Sequence, residues 1–153
     1  MRTAKLLQGG IVVAAGLLIC NTALADNCTG YDISVTTAAD TRDLGNGMSL
    51  TTFQAESTVT SEDSMYNLVT GQCSGTALAT PDGKMRMSGH CARHDKDGHL
   101  QSIEWSQGPG ADKGIWKSTG GTGKFAGKTD SGWFQNVRSD GKIGVSKWGG
   151  TCR

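Results

Sequence analysis

Large aliphatic side chains are scarce in this chain of 153 residues. Beyond Ala25, Leu, Ile, Val and Phe together make up only about 13% of the sequence, below the roughly 20% that ordinary globular chains exceed. Such a low content is typical of disordered chains only when the net charge is high. Arg2 and Lys5 are the only basic residues before that point, so 13 of the 15 remain, against all 14 acidic ones, for a net charge of −1. This balance gives no electrostatic reason to expect a nucleic acid or an anionic membrane as partner.

Helical periodicity is missing as well, because no window keeps apolar residues at i, i+3, i+4 and i+7 over three turns. There are only 2 prolines, whereas Ser and Thr are abundant. Short segments with alternating polarity are separated by Gly, Asp and Asn, which is typical of strands and tight turns. We predict eight strands, at Tyr31–Thr37, Met48–Thr60, Tyr66–Ala79, Lys84–His94, His99–Ser106, Gly114–Ser118, Gly132–Val137 and Lys142–Trp148.

Three short segments between these strands have the composition of hairpin turns: Thr80–Gly83, Asp95–Gly98 and Ser139–Gly141. Proline presets φ and glycine accepts positive φ, as such turns require. Eight short antiparallel strands predict a sandwich or a closed barrel. The barrel is favoured because closure removes exposed sheet edges, which this Ser/Thr-rich chain has little charge to protect. The predicted fold is therefore all-β, a small eight-stranded antiparallel β-barrel with two disulfides.

Residues 1–25 have the features of a secretion signal. A short basic start with Arg2 and Lys5 precedes an apolar run, and Ala23-Leu24-Ala25 supplies the small residues that a signal peptidase requires. We predict cleavage after Ala25, which leaves residues 26–153 as a single barrel domain. A lipoprotein acylated on Cys20 is an alternative, although Ile19 is unusual before such a cysteine. No second hydrophobic stretch follows, so we expect a soluble periplasmic or secreted protein without a membrane span.

Four cysteines remain after cleavage, and they permit three pairings. If Gly83 takes the left-handed position of the turn, Thr80 pairs with Lys84, and Cys73 then lies directly opposite Cys91. Neighbours at a non-hydrogen-bonded position are close enough for a disulfide. Cys28 and Cys152 would then join the two ends of the mature chain. Pairing of a hairpin cysteine with Cys28 or Cys152 is the alternative.

A phosphate-binding loop is the first functional motif to consider, because Gly127-Lys128-Thr129 matches the end of that pattern. Its first glycine is replaced by Thr122, and no apolar-periodic helix follows to direct amide groups at a phosphate. We therefore predict no nucleotide and no other cofactor.

The same region carries a different resemblance. The run Gly120-Gly121-Thr122-Gly123-Lys124-Phe125, preceded by Gly114-Ile115-Trp116, resembles the Gly-Gly-Thr-Gly-x-Phe signature of the allene oxide cyclase barrel-like superfamily, which includes the dirigent proteins. This resemblance implies an eight-stranded antiparallel barrel with a ligand-sized interior. The chain departs from the dirigent pattern after Phe125, and no catalytic residue is carried over. In physical terms the glycines allow a sharp corner between two strands, and Phe125 plugs the end of the barrel.

The three histidines, His90, His94 and His99, all lie in one segment of the chain. His90 and His94 are about 13 Å apart along an extended strand, too far to bind one ion. Only His94 and His99, with Asp95 or Asp97, remain as weak candidates for a metal site. A solvated hairpin end is the favoured interpretation, and we predict no metal.

The alternation of side chains along two neighbouring strands predicts a candidate ligand pocket. Met87 and Cys91 share one face of their strand, and Ile103 and Trp105 share one face of the next. A core is the simpler interpretation, but the face formed by Met87, Ile103 and Trp105 has the composition of a pocket for an apolar or aromatic ligand. Weak catalytic candidates are the charged residues on nearby strands, each only if it points inward: Glu56, Arg86 and Glu104.

The leading hypothesis is an exported barrel that binds a hydrophobic or aromatic small molecule without transforming it. An isomerase, cyclase or dirigent-type protein that guides a reactive intermediate is the first alternative, and a protein-interaction module or inhibitor the second. The oxidised cysteines offer no nucleophile, which argues against covalent catalysis. A cavity without ionisable groups favours the carrier, an inward carboxylate or arginine favours the enzyme, and a filled barrel favours the interaction module. The residues alone do not predict the oligomeric state.

Overall fold

A computed structural model describes residues 27–152, so the predicted signal segment and Cys20 lie outside the described residues. Eight antiparallel strands, β1 to β8 in chain order, form a closed barrel in which each strand pairs with the next and β8 pairs with β1. This confirms the predicted fold class. The strands are Asn27–Gly45, Met48–Ser61, Val69–Ala79, Met85–His94, Leu100–Gln107, Gly114–Gly121, Ser131–Ser139 and Ile143–Thr151.

The β3–β4 hairpin has the predicted register. The Thr80 N–H donates to the carbonyl of Lys84 at 2.9 Å, and Gly83 has φ of +77°. Cys73 therefore lies opposite Cys91 and is bonded to it, while Cys28 and Cys152 form the second disulfide. Both predicted pairings are confirmed. The local turn determines the register because its length and its left-handed glycine leave the flanking strands only one way to pair.

One end of the barrel is filled by side chains, and we call it the plugged end. It contains the Cys28–Cys152 disulfide and the connections β2–β3, β4–β5 and β6–β7. Val69 and Phe125 are 0% and 1% exposed there, and the Phe125 ring lies 6.1 Å from the ring of Tyr66. At the opposite, open end the connections are the hairpins of the other four strand pairs.

The glycine-rich motif acts as the predicted corner. A 3-10 turn, Gly123–Phe125, follows β6 and carries Phe125 into the plugged end. Gly123 has φ of +54°, and a Cβ there would lie 2.0 Å from the His99 ring. Glycine is therefore required both by the backbone conformation and by the close approach of a side chain.

Several strand boundaries differ from the prediction, and two of these differences have a clear structural basis. β1 continues past Thr37 to Gly45 through a bulge, although Ala, Asp and Arg in that stretch are poor strand formers. Tyr66 was predicted to begin a strand, but it belongs to the β2–β3 connection, where Leu68 has φ of +57°. Burial of the Tyr66 ring under the barrel explains this departure, since the residue is only 3% exposed. Within residues 27–152, no helix has the length and apolar character needed to cross a membrane.

Candidate functional site

A cavity of about 410 Å³ lies inside the barrel. It begins above Tyr66 and Val59 near the plugged end and continues to the β7–β8 hairpin at the open end, where Gly141 and Lys142 border it. The interior is therefore not filled. An open interior favours a carrier or an enzyme over an interaction module.

Aromatic rings form a large part of the cavity surface. Trp105 lies between two phenylalanines, with ring centroids 6.1 Å from Phe53 and 6.1 Å from Phe134. Nearer the plugged end, the rings of Trp116 and Trp148 meet edge to face at 6.0 Å. We call these five residues the aromatic surface. Their rings offer large apolar area at little conformational cost, which suits a planar apolar ligand.

Glycines on neighbouring strands provide the space for these rings. A Cβ added at Gly89 would lie 2.5 Å from Trp105 Cζ2, and one at Gly75 would lie 2.9 Å from its Cη2. A Cβ at Gly114 would lie 2.1 Å from the Phe134 ring. Each ring therefore lies against backbone and leaves the centre of the barrel open. Missing side chains in the wall are thus one reason why a cavity exists.

The strands β1, β7 and β8 line the cavity differently. Their inward positions carry mostly polar residues, which we call the polar strip: Asp32, Ser34, Thr36, Asn136 and Ser146. Within this strip, the hydroxyl of Ser146 donates to Asn136 Oδ1 at 2.7 Å. The cavity is consequently amphipathic, with an aromatic surface that faces hydrogen-bonding groups.

A charged pair lies in the inner part of the cavity. The guanidinium of Arg93, whose side chain is 6% exposed, donates through Nη2 to a carboxylate oxygen of Asp32. Arg93 Nε also donates to the hydroxyl of Ser57 at 3.0 Å, and that hydroxyl donates to Asp32 Oδ1 at 2.7 Å. The same Nη2 lies 3.5 Å from Cys91 Sγ and 3.7 Å from Cys73 Sγ. These contacts hold the guanidinium and the carboxylate in one orientation at the cavity wall.

The floor of the cavity has its own ionisable pair. The phenol of Tyr66 donates a hydrogen bond to the carboxylate of Asp130, which is 4% exposed. Burial, followed by the hydrogen bond to Asp130 and the negative charge of that carboxylate, raises the pKa of the Tyr66 phenol well above its usual range. Tyr66 therefore stays protonated and acts as a donor at any physiological pH.

The three predicted ligand-binding residues, Met87, Ile103 and Trp105, all line the cavity. Strand parity was sufficient to find them, because inward positions alternate along each strand. Their contribution to ligand binding stays a prediction.

The weak catalytic candidates lie on the outer surface instead. Glu56 and Arg86 are exposed, and Glu104 pairs with Lys117 at 2.7 Å. Glu104 also borders an outer groove of about 1150 Å³, which is lined by His90, by several Ser and Thr side chains and, beside the wall glycines, by Phe53, Trp105 and Trp116. These three charged side chains were candidates only if they pointed into the barrel, and the structure places them on its outer surface. We place the site in the smaller interior cavity, because it is lined by all five rings of the aromatic surface and by the Asp32–Arg93 pair, whereas the groove is lined by only three of those rings.

The candidate metal residues are arranged differently from the expected pair. His99 is grouped with Asp95 and Asp97, with ligand atoms within 4.8 Å of one another, and His94 is not part of that group. Lys124 Nζ already contacts Asp95 Oδ2 at 3.1 Å. Burial of Asp95 opposes ionisation, but the backbone N–H of His99, the ammonium of Lys124 and the backbone N–H of Asp97 outweigh it and lower the pKa of that carboxyl. These contacts already stabilise the carboxylate in the way expected of a structural turn.

Sequence reasoning missed both ionisable pairs of the cavity. Arg93 has the same parity as Met87 and Cys91, so extending that face along the strand would have indicated it. Asp32 gave no such signal, because its neighbours Tyr31 and Ile33 are apolar and suggest the opposite face for the core.

No family model matches the sequence, and no curated protein matches it either. The fold is similar to that of the pterocarpan synthase dirigent protein GePTS1, with a TM-score of 0.51, 16% identity and 82% of each chain covered. It is also similar to a protein of unknown function from Clostridium acetobutylicum, with a TM-score of 0.60 and 12% identity over 83% of this chain and 97% of that one. At these identities the comparisons show a dirigent-like barrel fold. Membership in the allene oxide cyclase barrel-like superfamily stays a prediction.

Proposed function

We propose that this protein binds an apolar or aromatic small molecule inside the barrel. The observation that carries the proposal is the cavity of about 410 Å³ with its aromatic surface. Ligand pockets typically measure about 300–1,000 Å³ and combine mainly apolar walls with a few placed polar groups. The polar strip supplies those groups on one side. An occupant with one apolar face and oxygen or nitrogen atoms along one edge fits both sides of the cavity.

We propose further that the protein acts after export. Residues 1–25 have the pattern of a signal peptide with cleavage after Ala25, and the mature domain would be residues 26–153. Two disulfides are the covalent chemistry of oxidising compartments such as the periplasm or the extracellular space. Mass spectrometry of the secreted protein should give the mass of a chain that begins at Asp26. A mass that includes residues 1–25 would contradict this proposal.

A ligand panel with tryptophan variants tests the binding proposal. Aromatic ligands of different size and polarity are titrated into the oxidised mature protein while tryptophan emission is recorded. We expect at least one ligand to change the emission, and the change should be smaller in Trp105→Phe, which removes one of the three tryptophans that line the cavity. Trp133→Phe is the matched control, since Trp133 lies on the outer surface beneath the ammonium of Lys113.

Two results would contradict binding in the cavity. The first is a folded protein that binds no member of a broad panel. The second is a change in emission that Trp133→Phe abolishes and Trp105→Phe preserves. Unfolding midpoints of both variants show whether a loss of signal reflects a loss of structure.

A second candidate function is favoured by the charged pair in the cavity. An inward carboxylate and arginine beside a real cavity is the feature that we expected of an isomerase, a cyclase or a dirigent-type protein. A buried ion pair adds little net stability compared with apolar residues of similar volume, so its presence favours a role toward a ligand. The fold similarity to a dirigent protein supports the same alternative. In this role Asp32 and Arg93 would orient a reactive intermediate rather than react covalently.

Stereochemistry tests this alternative. A prochiral phenol is oxidised in solution by a one-electron oxidant, with and without the protein, and the enantiomers of the coupled product are separated. A dirigent-type protein yields an excess of one enantiomer, and Asp32→Asn should abolish that excess. Glu56→Gln, which changes an exposed carboxylate on the next strand, should leave it unchanged. A racemic product for every ligand that binds the cavity would leave the carrier function as the remaining one of the two.

A further inference from the structure

Between Tyr31 and Val35 on β1, and between Ile143 and Ser146 on β8, the usual orientation of apolar side chains is reversed. The inward positions of these segments are Asp32, Ser34, Gly144 and Ser146. Tyr31 and Ile33 point outward and are 47% and 43% exposed, and Ile143, 42% exposed, lies at the rim of the barrel, where it also borders the cavity. An antiparallel wall with one solvated face normally places polar residues outside. A contiguous apolar area on the outer face of a barrel is therefore a sign of an interaction surface.

The strand register shows that these residues are neighbours. Ile33 lies opposite Val145, and Val35 lies opposite Ile143. On the other side of β1, Tyr31 and Ile33 lie opposite two threonines of β2. Together these side chains form a three-stranded area that we call the outer patch. Its centre is Ile33, and its four corners are Thr60, Glu56, Ile143 and Lys147.

Two charges of opposite sign occupy diagonal corners of the outer patch. Lys147 lies beside Tyr31 at the corner nearest the plugged end, and Glu56 lies beside Val35 at the diagonal corner. Both are exposed. Of the ion pairs found among residues 27–152, none includes either side chain. The patch thus has an apolar centre at Ile33 and one charge of each sign at matching positions on either side of it.

We propose that the outer patch is the interface between two copies of this chain. In a two-fold dimer the same surface of both subunits must be complementary to itself. A two-fold axis along the diagonal from Ile143 to Thr60 meets this requirement. It sets Ile33 against Ile33 of the partner subunit and brings Lys147 opposite Glu56 of the partner subunit, twice. The strands of the two copies then cross near a right angle, which is one of the two ways in which sheets pack.

The size of the patch indicates how stable this dimer is. Three strands about 4.8 Å apart and about five residues along each strand give a footprint of roughly 240 Å² per copy. Stable interfaces bury about 800 Å² per partner. The dimer should therefore be reversible and should dissociate on dilution, with the two ion pairs supplying orientation more than affinity.

Sedimentation of the mature, oxidised protein over a wide concentration range tests the proposal. We expect a monomer–dimer equilibrium. Lys147→Glu places two acidic residues against each other at both corners, and Glu56→Lys places two basic residues there. Each single reversal should weaken dimerisation at least tenfold, and the double reversal should restore it because the corners are complementary again. Arg86→Glu, a reversal of an exposed charge on β4, is the matched control and should have no effect.

Several results would overturn the proposal. A monomer at every concentration would do so, as would a trimer or a larger closed ring. A dimer that neither single reversal weakens would show that another surface is used. If the single reversals weaken the dimer and the double reversal fails to restore it, Lys147 and Glu56 do not face each other. Binding of ligands inside the barrel is independent of all these outcomes.

Discussion

The two ends of the barrel are built from similar strands but have different interiors. At the plugged end Val69, Phe125 and Tyr66 are almost fully buried, and the nearby acidic groups are buried with their partners. Toward the open end the inward glycines and the flat rings of Trp105 and Phe134 leave space. The connections therefore supply the packing of the plugged end, while glycines on the strands leave space toward the open end. The β2–β3 and β6–β7 connections carry aromatic rings under the barrel, whereas the hairpins at the open end contribute no buried side chain.

The largest expected effect concerns the two disulfides. Cys28–Cys152 closes a loop with a sequence separation of 124, and Cys73–Cys91 closes one of 18. In the chain-entropy model their removal costs about 5 and about 3 kcal/mol respectively. Guanidinium unfolding of the two Cys→Ser double variants measures these costs. Equal costs, or a larger cost for the hairpin pair, would contradict the prediction that the longer loop gives the larger stabilisation.

Truncation of a buried side chain should cost more at the plugged end than beside the cavity. Phe125→Ala at the plugged end should lower the free energy of unfolding by about 3–5 kcal/mol, because it leaves a void in a closely packed region. Met87→Ala borders a space that already exists, so we expect a cost of about 1 kcal/mol or less. Ile115→Ala, at a position 66% exposed on the outer surface, is the control for loss of a side chain alone. Similar costs at Phe125 and Met87 would refute the difference between the ends.

The smallest expected effect is a dependence of stability on pH. The pKa of Tyr66 is raised in the folded chain, so the neutral phenol stabilises the fold fully below about pH 10, and this contribution is lost as the pH rises above that value. Unfolding midpoints should therefore fall above about pH 10. Tyr66→Phe should remove this decline, whereas Tyr31→Phe on the outer surface should preserve it. An unchanged decline in Tyr66→Phe would assign it to another group.

At acidic pH, Asp95 gives the stability a pH dependence of the opposite sign. The pKa of Asp95 is lowered in the folded chain, so its ionised form stabilises the fold above the ordinary carboxyl pKa of about 4. That contribution is lost as the pH falls below this value. Asp95→Asn should make unfolding less dependent on pH between about 2 and 4, and Asp97→Asn, which changes an exposed carboxylate of the same turn, is its control. An acid dependence that Asp95→Asn leaves unchanged would contradict this assignment.

Features that depend on nearby residues were predictable. The Thr80–Gly83 turn determines the β3–β4 register, so the opposition of Cys73 and Cys91 followed from counting along the two strands. Alternation on β4 and β5 identified the predicted ligand-binding residues as one face. Phe125 was predicted to plug the barrel, and the structure confirms its position. In each of these cases, the geometry of a turn or the alternation of side chains along a strand was sufficient for the prediction.

Features that depend on barrel closure were not predictable in this way. Parity predicts which residues of a strand share a face, but it does not say which face points inward. On β1 the alternation of Tyr31 and Ile33 with polar residues favours the face of Ile33 as the core, yet Asp32 and Ser34 face the cavity. Tyr66 was assigned to a strand because the positive φ of Leu68 and the space beneath the barrel leave no trace in the local pattern.

The pattern of residues was sufficient to predict the number of strands, the positions of three hairpin turns and the pairing of Cys73 with Cys91. These properties follow from backbone preferences and strand periodicity, which act over short stretches of chain. Only the tertiary structure decided that Asp32 meets Arg93, 61 positions away, inside an amphipathic cavity. It also decided which charges flank the outer patch. The physical reason is that closure of β8 onto β1 sets the inner and outer faces of every strand together, and no local segment contains that information.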